Sequence, residues 1–378
     1  MGESLNDNPR GAGGPRHIYV HIPFCARICP YCAFYKTRPD PRQTARFCDA
    51  LLAELSTFAG TMALRPKTVF FGGGTPTALT TSQIEKLLEG FQGRLDLSRL
   101  QEWTFEANPG SVSERKAKLL HHLGVTRISL GVQAFDDTLL ALLGRDHSAA
   151  QAESTFHLLR RSGFTNLNVD LMFGLPGQTL AQWQETLERA IALKPEHIST
   201  YCLTYEEDTE FLRRHESGEL RSDPEADAEF FVLADEMLGA AGFEHYEVSN
   251  YAKPGFESVH NRAYWSGQDY LGIGPSAVST IGRRRWKNIP DYRRYADLIL
   301  GGGSAATGDE VLTPEMKRTE AIALSLRTNN GVPAKWILNR PNEVDEFVRL
   351  GLMEPSADRY VLTRAGRFLA DSVAEAFI

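Results

Sequence analysis

Three of the five cysteines lie within eight residues, in the stretch HIPFCARICPYCAF: Cys25, Cys29 and Cys32. In a reducing compartment, clustered thiols are better explained as metal ligands or redox groups than as a disulfide framework. Structural zinc sites usually take four protein ligands, commonly as two separated pairs, and no second pair follows here. Three thiolates instead suit an iron–sulfur cluster that leaves one iron open to a small molecule. Cys48 and Cys202 fall in helix-like and strand-like segments, where buried free cysteines are common.

The elements that must position these thiols can be read from the hydrophobic pattern. Segments with helical spacing, such as residues 43–58 and 80–91, separate short apolar runs with strand character. The runs are residues 17–22, 67–71, 102–106, 127–132, 167–172 and 197–203. Strand–helix units in succession predict an α/β fold with a parallel sheet. That sheet is either open and doubly wound or a full or partial barrel.

Polar and glycine residues come directly after these runs. In both architectures, chemistry takes place just beyond the carboxyl ends of the strands. The residues in question are the cysteine loop, Gly72, Gly73, Gly74, Thr75, Glu106, Gln133 and Asp170. Glycine lets the backbone approach a ligand closely, and the two carboxylates are hydrogen-bond acceptors. Their convergence on one rim predicts a binding site.

Composition excludes several classes of protein. The 378 residues carry a net charge of −7, which argues against a general polyanion binder and against nucleic acid as a partner. No run of about 18 apolar residues is present, and the first 16 residues lack the apolar core of a signal peptide. We therefore expect a cytoplasmic protein without a membrane span. Residues 1–16 are rich in Gly, Pro and Asn and are expected to be disordered.

The CxxxCxxC spacing after the first strand resembles that of the radical S-adenosylmethionine (SAM) proteins. In that superfamily, three cysteines hold a [4Fe-4S] cluster, and SAM chelates the fourth iron through its amino and carboxylate groups. The resemblance therefore implies that the cosubstrate supplies the missing fourth ligand. It also implies a partial TIM-like (β/α)6 radical SAM barrel.

Further motifs, among them GGGTP, EANPG and NVDLMFGLPGQT, resemble the oxygen-independent coproporphyrinogen III oxidase family over nearly the whole chain. This resemblance implies a set of SAM contacts, in which the tyrosines act through apolar packing or the backbone. The set comprises Tyr19, Tyr31, Gly73, Gly74, Thr75, Glu106, Gln133, Arg145 and Asp170.

Two features separate the subgroups of this family. The oxidases typically carry one more cysteine two positions after the third, where this chain has Phe34, and they have a longer N-terminal extension. The segment HNRAYW resembles the HNxxYW signature of the HemW-type heme chaperones. The resemblance implies heme binding by His260, Asn261, Tyr264 and Trp265, with the imidazole available to iron and the aromatic rings to the porphyrin.

Three functions remain as alternatives. The first is a heme-binding chaperone that delivers heme to acceptor proteins, with peripheral membrane association and a heme-linked dimer both compatible with it. The second is an oxidase that decarboxylates coproporphyrinogen III through a 5′-deoxyadenosyl radical. The third is an iron–sulfur electron-transfer module, which would have no use for Gly72–Gly74 or Glu106. Phe34 favours the first over the second.

The last 70 residues, 309–378, differ in character from the core at 17–300. Short helical patterns surround a predicted hairpin at residues 351–363, which resembles the small winged-helix-like C-terminal domain of the same family. This segment has nine Lys and Arg against ten Asp and Glu from Glu310 onward, so it lacks the basic excess of a DNA-binding module. The glycines at 301–303 predict a linker before it.

Overall fold

The computed structural model describes residues 14–378. Most of the segment expected to be disordered, residues 1–13, lies outside the described residues. For the last part of that segment the expectation is wrong. Pro15 is buried, and the Arg16 carbonyl accepts the backbone N–H of Lys67 at 2.6 Å. The chain is therefore already fixed to the sheet before its first strand begins.

Six strands and the helices between them form the first half of the chain. In order they are β1 (His17–Ile22), α1 (Pro41–Thr61), β2 (Thr68–Gly73), α2 (Thr81–Gln92), β3 (Glu102–Ala107), α3 (Glu114–His122), β4 (Arg127–Gln133), α4 (Asp137–Leu142), α5 (Ala149–Arg161), β5 (Leu167–Phe173), α6 (Leu180–Ala192) and β6 (His197–Cys202). Strands β1 to β6 are parallel and adjacent in chain order. The predicted parallel sheet is confirmed.

The following residues extend this sheet at both edges. They form α7 (Glu210–Glu216), α8 (Pro224–Ala240), β7 (Glu244–Glu247), β8 (Asn250–Ala252), α9 (Val259–Trp265), β9 (Tyr270–Ile273), β10 (Val278–Ile281), β11 (Arg284–Asn288), α10 (Tyr292–Leu300) and β12 (Ala306–Val311). The sheet order is β12-β11-β10-β9-β1-β2-β3-β4-β5-β6-β8-β7. Because β12 and β7 do not pair within residues 14–378, the sheet stays open rather than closing into a full barrel.

The two faces of the parallel strands have different compositions. One face is apolar and fully buried beneath the helices, as shown by Ile18 and Val20 on β1 and by Val69 and Phe71 on β2. The other face carries the polar and aromatic side chains, because successive residues of a strand point to opposite sides. Capping boxes start α2, α5 and α6, each with a Thr or Ser at the N-cap and a Gln three residues later. These helices shield the apolar face and leave the polar face for function.

The C-terminal residues have an apolar cluster of their own, which includes Leu326, Val332 and Val373. Their elements are α11 (Pro314–Leu326), β13 (Val332–Pro333), α12 (Pro341–Arg349), β14 (Met353–Ser356), β15 (Arg359–Leu362), α13 (Arg364–Phe368) and α14 (Ala370–Glu375). The predicted hairpin is confirmed as β14–β15, one of the two antiparallel pairs in a three-stranded sheet. The winged-helix-like assignment stays a prediction.

The linker was predicted at the wrong place. Gly301–Gly303 cap α10, with the Gly301 N–H donating to the Asp297 carbonyl at 3.0 Å. The next strand, β12, pairs with β11 and therefore extends the large sheet. The sheet ends at Val311, so the residues that pass to the C-terminal elements lie between Val311 and Pro314. Within residues 14–378, no helix combines the length and apolar character needed to cross a bilayer.

Candidate functional site

The cysteine loop leaves the carboxyl end of β1 and is fixed by backbone hydrogen bonds. The Cys25 N–H donates to the Thr37 carbonyl at 2.9 Å, and the Thr37 N–H returns to the Pro23 carbonyl at 2.7 Å. Within the loop, the Cys32 N–H donates to the Cys29 carbonyl at 3.3 Å. All three thiols are half-buried and line one narrow cavity. The loop thus presents its three cysteines together, as the sequence predicted.

The glycine segment, Gly72–Gly74, lies at the end of β2 and forms the facing wall. The Gly74 N–H donates to the Ile22 carbonyl at 2.8 Å, and the Thr75 hydroxyl lies 3.5 Å from the Cys25 sulfur. A Cβ atom at Gly74 would stand only 2.8 Å from the Pro23 carbonyl carbon, where the backbone cannot yield. Gly73 has a φ of +106°, which disfavours any other residue. Glycine is therefore required here because two backbone segments meet beside the thiols.

The chemistry of the three thiols fits an iron–sulfur cluster. Soft thiolate ligands favour iron–sulfur chemistry, and three of them leave one iron of a cube open. Burial raises the pKa of Cys25 to about 11 and also raises that of Cys32. Iron would bind the thiolate forms and release these protons.

Arg145 brings a positive charge to the same cavity. Its guanidinium lies 3.6 Å from the Cys29 sulfur and donates to the Asn108 side-chain oxygen at 2.6 Å and to the Gly131 carbonyl at 2.7 Å. Tyr31, Gly73, Gly74, Thr75 and Arg145, all predicted as SAM contacts, line this cavity together with the cysteines. Asn108, in the EANPG motif that closes β3, also lines this cavity, as the shared rim predicted. Sequence reasoning missed three charged neighbours there, Arg27, Lys36 and Asp146. Arg27 lies within the cysteine loop and Lys36 follows it, which was the signal that could have identified these two.

Glu106 projects from β3 and Asp170 from β5, the two strands on either side of β4. The Glu106 carboxylate accepts the Gly73 N–H at 3.1 Å, so it touches the glycine segment directly. Burial, reinforced by the Asp170 carboxylate, raises the pKa of Glu106 to about 8. The Asp170 carboxylate is held by the Ser129 hydroxyl at 3.0 Å and the Asn168 amide at 2.7 Å. Glu106 therefore reaches the glycine segment, and Asp170 lies close enough to act on its charge, but neither carboxylate is among the residues that line the cavity of the thiols.

Gln133 ends β4 with a φ of +70°, a left-handed backbone that is uncommon outside glycine. The β-bulge between Gly131 and Gln133 accompanies this turn. A Cβ atom at Gly131 would lie 3.0 Å from the Gln133 amide nitrogen and 3.4 Å from the Arg145 guanidinium. The structure therefore brings Gln133 to Arg145, as the shared rim predicted.

A second and larger cavity, of about 570 Å³, opens beside the first. Most of the residues that line it are aromatic or polar. Three of the lining residues belong to the cysteine loop and directly follow Cys32. The lining residues are Tyr19, His21, Ala33, Phe34, Tyr35, Tyr264, Tyr270, Ser276, Val278 and Lys287. Tyr19 thus faces this cavity rather than the one lined by the thiols. Cavities of roughly 300–1,000 Å³ accommodate ligands the size of cofactors.

His21 is the imidazole of this second cavity, and sequence reasoning missed it. One ring nitrogen lies 2.9 Å from the Tyr35 carbonyl and the other 3.1 Å from the Tyr19 hydroxyl. Burial lowers the pKa of His21 to about 4, so the ring is neutral at neutral pH. Its spacing of two from Tyr19 on β1, which places both on the polar face, was the signal that could have identified it.

The HNRAYW segment forms α9 and lies elsewhere than expected. The amino end of α9 lies against the amino ends of the strands, at the opposite edge of the sheet from the cysteine loop. There the carboxylate of Glu102, at the start of β3, accepts the backbone N–H groups of Val259 at 2.8 Å and His260 at 3.2 Å. His260 is 2% exposed, with one ring nitrogen 2.7 Å from the Thr68 hydroxyl and its ring stacked on Phe70. Such a buried imidazole is not open to a heme iron.

The other residues of the segment divide between two neighbourhoods. Tyr264 packs on Tyr270 and lines the large cavity. Trp265 points to the C-terminal elements, where the Arg327 guanidinium lies 5.0 Å from its ring centre. Asn261 lies in the first turn of α9 and donates its backbone N–H to the Ser258 hydroxyl at 3.3 Å. Of the four predicted heme contacts, the structure places Tyr264 alone at the cavity.

The position of His260 leads to a prediction. We expect His260→Ala to lower the free energy of unfolding by roughly 3 kcal/mol, because a buried ring and its hydrogen bond are both lost. Heme added to the variant should keep the wild-type absorption maximum, which reports the axial ligand. His122→Ala, an exposed histidine of α3, serves as the control for urea unfolding. If the absorption maximum of bound heme shifted in His260→Ala while the free energy of unfolding stayed unchanged, His260 would be a heme ligand after all.

A parallel α/β sheet with three thiols on the loop after its first strand, facing a glycine segment on the second, defines the radical SAM class. The sequence profile of the Radical SAM superfamily matches residues 19–190. The chain is also 37% identical over 375 residues to the heme chaperone HemW of Bacillus subtilis, covering 96% of this chain and 99% of that protein. It is 33% identical to the heme chaperone HemW of Escherichia coli over 382 residues, covering 96% and 98%. The chain belongs to the HemW family of radical SAM proteins.

A solved structure supports the fold. Coproporphyrinogen III oxidase (HemN) from Escherichia coli superposes with a TM-score of 0.83 at 24% identity, covering 97% of this chain and 90% of that one. The expected radical SAM α/β fold is thereby confirmed. Membership of the superfamily implies a [4Fe-4S] cluster and SAM, and the thiols and glycine segment described above fit both.

Proposed function

We propose that this protein is a cytoplasmic heme chaperone that holds heme in the aromatic cavity beside the cysteine loop and passes it to acceptor proteins. The observation that carries the proposal is the cavity itself. It offers about 570 Å³ lined by four tyrosines and Phe34, and flat aromatic surfaces suit a porphyrin face. The names of the curated relatives support heme as the ligand.

Phe34 favours a binding function over coproporphyrinogen oxidation. It stands at the position where oxidases of the related family typically carry a further cysteine. Its side chain is 68% exposed and borders the large cavity, so it offers apolar surface and no thiol. An exposed aromatic ring beside an open cavity gains free energy when a flat apolar ligand covers it. Phe34 therefore adds to the heme surface.

The three thiols and their neighbours have a separate role in this proposal. Cys25, Cys29 and Cys32 would hold the [4Fe-4S] cluster, which supplies one-electron chemistry and an open iron for SAM when bound. Gly73, Gly74 and Thr75 would give SAM backbone contacts, while Glu106 and Asp170 accept hydrogen bonds from it. Tyr31, Gln133 and Arg145 would complete the SAM contacts. Since Ala33 and Phe34 directly follow Cys32, the loop that holds the cluster also forms a wall of the proposed heme site.

A heme titration of the full chain, reconstituted anaerobically with its cluster, tests the location of the ligand. We expect saturation at one heme per chain. Val278→Trp, which fills the cavity, should weaken heme binding at least tenfold and leave the visible absorbance of the cluster unchanged. Val311→Trp, on the exposed edge strand β12, is the matched control. Equal heme affinity in all three proteins would place heme outside this cavity.

Delivery is measured by a second step. Heme-loaded protein is mixed with apomyoglobin as a probe acceptor, and the absorbance of holomyoglobin is followed. Transfer faster than release of heme to free solution would support a chaperone, whereas transfer no faster than release would reduce the function to heme storage. The oligomeric state of the loaded protein, read by light scattering, tests the predicted heme-linked dimer.

A further inference from the structure

Lys287 is the one cation among the residues that line the large cavity. It lies on β11 directly opposite Val278 of β10 in the antiparallel register, and both side chains face the cavity. The remaining lining is aromatic, aliphatic or neutral, with no carboxylate. An uncompensated ammonium therefore borders a space with aromatic walls.

The other cations of the same strand are already paired. The Arg284 guanidinium lies 2.8 Å from the Asp309 carboxylate on β12, and Arg285 pairs with Glu320 on α11. Within residues 14–378, no carboxylate lies within ion-pair distance of the Lys287 ammonium. Of the three cations on β11, Arg284 and Arg285 therefore form ion pairs with neighbouring elements, and Lys287 lines the cavity without one.

We propose that Lys287 binds a carboxylate of the cavity's ligand, which for heme is a propionate group. This inference rests on the proposed function. A Lys ammonium is a compact charge on a flexible stem, which can follow a carboxylate on a mobile propionate chain. The hydrogen bond between two ionised groups is among the stronger ones in proteins. The contact would fix the edge of the porphyrin at the β10–β11 side of the cavity.

The carboxylate expected at Lys287 differs from the carboxylate of SAM, because each cavity has a cation of its own. Arg145 already brings a guanidinium to the cavity lined by the thiols, where the SAM carboxylate is expected. Lys287 does not line that cavity. A ligand carboxylate at Lys287 therefore belongs to a second molecule, with a flat apolar body and at least one acidic group.

The experiment compares two probes, heme and heme dimethyl ester, which differ in the charge of the propionates. We expect Lys287→Met to weaken heme binding roughly tenfold and to leave binding of the dimethyl ester unchanged. Lys287→Arg should restore most of the affinity for heme. Arg284→Met, which removes a charge from the same strand outside the cavity, should bind both probes as the wild type does. Cluster absorbance is recorded for every variant to confirm the fold.

The outcomes separate this inference from the function on which it rests. Equal losses for heme and its ester, or no loss for either, would overturn the assignment of Lys287 while the wild type still binds heme. A loss of SAM affinity in Lys287→Met with unchanged heme affinity would also overturn it and would make SAM the partner. Failure of the wild type to bind heme would overturn both.

Discussion

Replacement of Cys29 by alanine is expected to abolish the visible absorbance of the anaerobically reconstituted protein. Two thiolates cannot hold a [4Fe-4S] cube whose remaining iron is reserved for SAM. Bound iron and sulfide should fall to the level of a preparation that was never reconstituted. The measurement is the absorption spectrum together with iron and sulfide analysis.

Cys202→Ala is the matched control for this experiment. Cys202 ends β6, and its sulfur packs against Gly174, away from the cavity lined by the three loop cysteines. This variant should assemble the cluster normally. Wild-type iron and sulfide in Cys29→Ala would show that the three thiols of the loop are not the cluster ligands.

Glu106→Ala is expected to weaken SAM binding roughly ten- to hundredfold at pH 8.5, because a hydrogen bond to a charged acceptor is worth about 1.5–3 kcal/mol. Burial raises the pKa of Glu106 to about 8, so its stronger acceptor form, the carboxylate, is populated only as the pH rises through 8. The difference in affinity between wild type and variant should therefore be smaller at pH 6.5 than at pH 8.5. Isothermal titration of the reconstituted proteins with SAM measures it.

The ratio of the two affinities is the useful quantity, since the titration of SAM itself affects both proteins equally. Glu89→Ala, an exposed carboxylate of α2, is the control. Equal affinities in wild type and Glu106→Ala at both pH values would remove Glu106 from the SAM site. A difference that grows as the pH falls would mean that the neutral carboxyl group is the form that binds.

The sequence predicted the parts of the fold that depend on local signals. The apolar runs identified β1 to β6, because a strand buried on one face shows it in its composition. The strands β7 to β12 were not predicted, since they are short and pair across distant parts of the chain. The parallel pairing of β9 with β1 joins residues about 250 positions apart, for which no local pattern exists.

The candidate site was likewise predicted only in part. Gly73, Gly74 and Thr75 meet the cysteine loop as predicted, because neighbouring parallel strands end at the same edge of the sheet. For His260, the HNxxYW motif indicated a side chain able to bind iron but did not show that this side chain is buried. Insertion of α9 at the amino ends of the strands depends on Glu102 and Thr68, which are more than 150 residues away. Lys287 was not predicted either, because its place at the cavity follows from the late hairpin of β10 and β11.

Two sites share one loop in this arrangement. Cys32 lines the cavity of the thiols, while Ala33, Phe34 and Tyr35 line the larger cavity immediately afterwards. Any change in the loop on assembly of the cluster would therefore reach the wall of the proposed heme site. Titrating heme into the protein with and without its cluster would measure this connection as a ratio of affinities.

The most direct test of the central claim uses one anaerobic preparation that contains the cluster, SAM and a reductant. Coproporphyrinogen III is added first, and the porphyrin products are analysed; heme is then titrated into the same preparation. Our account predicts no protoporphyrinogen IX and binding of one heme per chain. Turnover of coproporphyrinogen III, or no binding of heme, would contradict it.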